Sequence, residues 1–129
     1  PCQLAIPLAV RWLLVWEDRE QEALWFGKAV PRAWLADGQE FSVQGAPTRW
    51  GKVDFAVQSR LAQGTISVQL RFERTPPPQV LCRLRLPLGA SMSAVARESG
   101  ARLALDRERE LVRVTAHGER ELRFQVRCA

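Results

Sequence analysis

The side chains of this 129-residue chain that could supply a base, a thiol or a carboxylate include one histidine, three cysteines and 14 acidic residues. Nucleophilic catalysis of the Ser/His/Asp kind needs a positioned base. The histidine, His117, stands directly before Gly118, a pair expected at a hairpin tip, where a base is poorly held. Paired carboxylates, the equipment of glycoside hydrolysis, must face one cleft at a defined separation. Asp37, Glu40 and Asp54 are candidates by type, but nothing in their spacing brings two of them together. Glu17, Asp18, Glu20 and Glu22 crowd a hairpin-like loop and read as solvated. No glycine-rich loop follows a strand and opens a helix, so the usual phosphate cradle is missing. Cys2, Cys82 and Cys128 form neither a CxxC pair nor a Cys/His cluster with metal-ligand spacing. The expectation is no catalytic residue, no metal ligands and no cofactor.

What remains is aromatic surface. Of five tryptophans, Trp25, Trp34 and Trp50 fall within Leu24–Gly51, among glycines and prolines. That density beside Gly and Pro points to a fixed surface. Two chemistries are open to it. Exposed indoles stack on the C–H faces of sugars, with Arg32, Asp37 or Arg49 beside them to bond hydroxyls. Alternatively, Trp is highly buried on average and dominates core and interface energetics. The second reading is favoured throughout, most strongly for Trp12 and Trp16. The candidate contact residues are therefore Trp12, Trp16, Trp25, Trp34 and Trp50, with Arg32 and Arg49.

The elements that must position them read as strands. Period-two alternation, the mark of a half-buried strand, runs through Val53/Phe55/Val57, Ile66/Val68/Leu70/Phe72 and Cys82/Leu84/Leu86. It recurs in Val112/Val114/Ala116 and Leu122/Phe124/Val126, and more briefly in Phe41/Val43. Asp37-Gly38, Gln63-Gly64 and His117-Gly118 supply turns, and Pro76-Pro77-Pro78 forces an extended crossover. Ser91 to Gly100 fits an irregular strand or a short helix. Short strands at regular spacing predict an all-β, antiparallel two-sheet sandwich, immunoglobulin- or jelly-roll-like, with at most a short helical turn. Residues 1–129 read as one domain, and a start at Pro1 reads as a fragment or processed product.

Val10–Trp16 and Leu24-Trp25-Phe26 place apolar bulk on both strand faces. A strand apolar on both faces is normally covered on both. One layer of a sandwich covers one face, so a second domain, a partner or the Trp-rich loop must cover the other. The apolar segment from Ile6 to Trp16 is too short to span a bilayer and carries Arg11.

The net charge is +5, almost all of the positive side being Arg. A nucleic-acid or polyanion binder would use Arg71, Arg83, Arg85, Arg113, Arg123 and Arg127 on one outer face. The interleaving of Arg with Glu and Asp, as in Asp106–Glu110, favours solvated mixed-charge faces instead. Cys82 and Cys128 fall in phase with core positions, and a Cys2–Cys128 disulfide tying the termini stays open.

Leu13–Asp18, Leu24-Trp25-Phe26-Gly27, Pro31–Gly38 and Ala46–Phe55 resemble the start of a non-catalytic C-terminal β-sandwich. That domain follows the six-hairpin, (α/α)6-barrel catalytic domain of bacterial glycoside hydrolases of the α-L-rhamnosidase-like type. Leu81–Pro87 is similar to its Arg-rich strand. Where that family often continues with a Val-x-Val-Asn-Gly turn, Ser93–Gly100 matches only in part. The resemblance covers most of the chain. It implies that the catalytic acids lie on another domain, that the barrel of the same polypeptide is the partner covering the two-faced strands, and that the setting is periplasmic or secreted. It leaves the glycan unspecified.

Overall fold

A computed structural model of the chain describes residues 14–97, 101–115 and 118–128. Trp12, Cys2 and His117 lie outside them. The described residues build ten strands. These are β1 (Val15–Asp18), β2 (Ala23–Phe26), β3 (Glu40–Thr48), β4 (Gly51–Arg60), β5 (Thr65–Phe72), β6 (Gln79–Arg83), β7 (Met92–Arg97), β8 (Arg102–Asp106), β9 (Leu111–Thr115) and β10 (Glu121–Cys128). Short 3-10 turns lie at Arg32–Leu35 and Leu61–Gln63.

The strands form a β-sandwich of two five-stranded sheets, ordered β1-β2-β6-β9-β8 and β3-β4-β5-β10-β7. The pairings are antiparallel except β2 with β6, which run parallel. The chain changes sheet repeatedly: between β2 and β3, across the proline run between β5 and β6, on either side of β7, and before β10.

The inner faces meet as the alternation requires. Ile66, Val68, Leu70 and Phe72 of β5 are buried, as are Leu122, Phe124 and Val126 of β10. Phe26 of the first sheet packs on Phe55 and Phe72 of the second, at ring-centroid distances of 5.2 and 5.9 Å. Burying each such ring contributes roughly 1.5–3 kcal/mol. Cys82 lies wholly in this core, where burial pushes its thiol far above the ordinary value. Cys128 is a free thiol, so no disulfide ties the termini through it.

Of the two alternatives for Ser91–Gly100, the described residues take the strand, β7 over Met92–Arg97. Two elements differ from the sequence reading. Arg102–Asp106, which the alternation did not single out, is β8, paired residue for residue with β9. The ladder of β6 stops at Arg83, because its partner β9 begins at Leu111, opposite Arg83. Leu84 and Leu86 nonetheless stay buried beyond the strand end.

Candidate functional site

Trp16 and Trp25 are brought together by the hairpin between β1 and β2. They are directly opposed across the ladder, so both indoles lie on the same face. That face is the outer one, because Leu24 and Phe26, one residue away on either side of Trp25, point into the core. Lys28 follows the turn residue Gly27 and sets its ammonium 5.4 Å from the Trp16 ring and 5.1 Å from the Trp25 ring. Trp16 is 39% exposed.

Trp25 does not stand alone on this face. A second apolar cluster of Ala23, Leu81 and Leu111 packs beside it. Their exposures of 0%, 4% and 2% are those of core residues, although they sit on the outside of the sandwich. Strand β2 is thus apolar and buried on both faces. Among the described residues the buried Trp25 indole N–H and the buried Nε–H of Arg83, on the same face, have no hydrogen-bond partner. Buried polar groups are ordinarily paired, so this region is unusual for a free surface.

Trp34 belongs to a different place. It rides on the 3-10 turn Arg32–Leu35, in contact with Phe41 at 5.6 Å. That turn is clipped on several sides. Leu35 is buried, and its carbonyl accepts the Ser59 hydroxyl at 2.8 Å. Gly38 N–H donates to the Ser59 carbonyl, and Ser59 N–H to the Gln39 carbonyl. Asp37 accepts the Ala62 N–H at 2.9 Å. Arg32, expected at a contact surface, instead anchors the turn: its guanidinium donates to the Leu86 carbonyl at 2.6 Å and pairs with Glu110 at 2.8 Å.

Trp50 sits at the tip of the β3–β4 hairpin, partly buried on the core. The Arg49 guanidinium stacks over it at 4.7 Å. Thr48 folds the tip, donating its hydroxyl to the Gly51 carbonyl and accepting the Trp50 N–H. Glu17 of β1 accepts the Arg49 N–H at 2.6 Å. Trp25, Trp34 and Trp50 therefore occupy three separate locations, and among the described residues no ring pair joins them. The pairing of Trp16 with Trp25, and the place of Lys28 over both, were not evident from the sequence. The β1–β2 hairpin register was the signal that would have shown them.

The carboxylates serve structure. Asp18 caps the β1–β2 turn by accepting the N–H groups of Glu20 and Gln21. Asp54 accepts the Gly45 N–H at the β3 bulge. Glu121 is held below the ordinary carboxylate range by its hydrogen bond and charge pairing with Arg123, and further by Arg71. Among the described residues no group of three or more His, Cys, Asp or Glu side chains could hold a metal ion.

The arginines proposed for one face are divided between two. Arg71, Arg123 and Arg127 lie on the outer face of the second sheet, Arg83 and Arg113 on that of the first. The cause is connectivity: β5 and β10 pair in one sheet, β6 and β9 in the other. In comparisons with protein-family models, curated proteins and solved structures, nothing matches the chain.

Proposed function

We propose that the chain is a non-catalytic accessory β-sandwich of a carbohydrate-active enzyme, resting on the catalytic domain of its own polypeptide through the outer face of the first sheet. The observation that carries this reading is the second apolar face of β2. Trp16 stays 39% exposed there, beside Trp25 and an Ala23/Leu81/Leu111 cluster that is already covered, outside the core that the two sheets share. Large aromatics are the side chains that dominate interface energetics. Lys28 over both rings adds a cation–π contact of roughly 0.5–1 kcal/mol that fixes the indoles as one surface. The structural employment of Asp18, Asp54 and Glu110 is consistent with catalytic acids carried elsewhere. The resemblance of Leu13–Asp18, Leu24–Gly27, Pro31–Gly38 and Ala46–Phe55 to the sandwich behind (α/α)6 barrels names the expected neighbour.

Two measurements test it. The reading frame upstream of Pro1 should encode an (α/α)6 glycosidase domain. In that parent enzyme, Trp16→Ser should lower the melting temperature of the joined domains more than it lowers that of residues 1–129 alone. A parent without such a barrel, or an equal effect in both settings, would sink the proposal.

A further inference from the structure

Three cavities of the described chain converge on the other side of the molecule. One of about 850 Å³ opens on the outer face of the second sheet, with Trp34, Glu40 and Phe41 at one rim and Ser42, Ala56, Ser67 and Gln69 along its floor. A smaller cavity of about 200 Å³ shares Trp34, Glu40 and Phe41 with it. Another of about 130 Å³ shares Ser42, Ala56 and Gln69 and extends it toward Asp54 and Arg71. Together they form one depression running across the strands from β3 to β10.

The register explains its floor. One rung of the sheet reads Ser42, Ala56, Gln69, Arg123, and the next reads Glu40, Gln58, Ser67, Gln125. The middle of the face is thus made of short side chains and amides. Hydroxyls and amides each donate and accept, which matches ligand hydroxyls that do the same. The charge at the far end is compensated: Arg71 and Arg123 pair with Glu121, which also accepts from the Gln69 amide, and Asp54 lies directly opposite Arg71 on the neighbouring strand. A groove with a neutral centre and compensated cations favours a neutral ligand. Trp34 offers an apolar ring at the rim, held by Phe41 and by the clipped turn beneath it.

We propose that this groove binds a neutral oligosaccharide, stacked on Trp34 at one end and bonded through Ser42, Gln58, Ser67 and Gln69 along its length. The volume lies within the range of small-ligand sites, roughly 300–1,000 Å³. The direction of the groove argues against an extended peptide, which would pair along the β3 edge instead of crossing the strands. The site is on the opposite outer face from Trp16 and Trp25, so it is independent of the docking surface proposed above.

Affinity electrophoresis of the purified chain in galactomannan, xyloglucan and mixed-linkage β-glucan tests this, with polygalacturonate and heparin as charged controls. At least one neutral polysaccharide should retard the chain, and added salt should leave the retardation unchanged. Ala56→Arg places a bulky side chain on the solvent-facing floor and should weaken binding at least about tenfold, equivalent to ~1.4 kcal/mol. Trp34→Ala should do the same and Trp34→Phe should retain most of the affinity. Since Trp34 also packs on the core, melting curves accompany each variant and Ala56→Arg is the cleaner probe. Trp25→Ala should leave binding intact. Failure of every neutral polysaccharide to retard the chain, retardation by the charged ones alone, or neutral binding that survives Ala56→Arg in a folded variant overturns the proposal.

Discussion

Replacing Glu110 should loosen the anchor of the turn that carries Trp34. Glu110 closes the tight connection between β8 and β9 with a left-handed backbone, φ 55°. One carboxylate oxygen accepts the Leu86 N–H at 2.7 Å and the Arg32 guanidinium at 3.0 Å; the other lies 2.8 Å from Arg32. Removing a hydrogen bond to a charged acceptor costs roughly 1.5–3 kcal/mol when the donor is left unsatisfied. The Arg32 arm adds less, because the Arg32 side chain is 38% exposed against 18% for Glu110. Discounted for solvent, it adds about 0.5–1 kcal/mol. Glu110→Ala is therefore expected to destabilise the chain by about 2–4 kcal/mol. Glu110→Gly loses the same bonds but relieves the left-handed backbone, which costs an L-residue about 1–2 kcal/mol, so it should be the milder variant by about that amount. Arg32→Ala should cost less than Glu110→Ala, and the double variant little more than Glu110→Ala alone. Urea unfolding followed by tryptophan fluorescence measures all four, read as midpoint shifts at constant slope. A Glu110→Ala variant within about 0.5 kcal/mol of the parent would refute the reasoning, since that is the range of inert surface changes. So would fully additive effects of the two single substitutions, because residues sharing a network should couple.

Gly27→Ala should destabilise by at least about 2 kcal/mol, since φ is 70° and the added Cβ would lie 2.6 Å from the Arg83 carbonyl at the end of the parallel β2–β6 pair. Gly38→Ala, also at positive φ but with open space around the new Cβ, should lose only about 1–2 kcal/mol, and equal melting shifts for the two would contradict the role assigned to the close approach. Glu121→Gln probes the arginine pairs of the second sheet. The folded Glu121 titrates below its unfolded value, so its contribution is present above the ordinary glutamate range near pH ~4.3 and lost as pH falls through the lowered folded value. The melting difference between parent and variant should shrink toward zero in acid, and a difference constant across pH would show that the pairing does not stabilise the fold.

The sandwich was legible because alternation is a local property. β5 and β10 each carry three or more inward apolar residues alternating with polar neighbours, and β4 carries three with Ala56 its one apolar outward residue, enough to fix both strand and face. β8 was missed because it has only Leu103 and Leu105 to turn inward, too short a run to stand out. The alternation of Cys82, Leu84 and Leu86 continued past the end of the β6 ladder, because burial persists where hydrogen-bonded pairing does not. Alternation also says nothing about which sheet a strand joins. The six arginines looked like one basic face for that reason, and they separate once β6 and β9 are assigned to one sheet and β5 and β10 to the other. The groove was not read from the sequence; the uncharged outward Ser42, Gln58, Ser67 and Gln69, against the outward arginines of β6 and β9, were the signal that could have shown it.

The same limit explains the tryptophans. Trp25 and Trp34 are close in sequence, yet the chain crosses from the first sheet to the second between them. Before the crossing, the hairpin register sets Trp25 beside Trp16 on an apolar outer face. After it, a turn fastened by Arg32, Leu35 and Asp37 delivers Trp34 to the rim of a polar groove on the opposite face. An aromatic-rich stretch of sequence thus becomes two surfaces of different chemistry. The apolar one suits a protein neighbour, where desolvation of indoles is the main gain. The neutral polar one suits a hydroxylated ligand, where paired donors and acceptors matter more than area. Substitutions that separate the two, Trp25→Ala on one side and Ala56→Arg on the other, therefore test the two proposals independently.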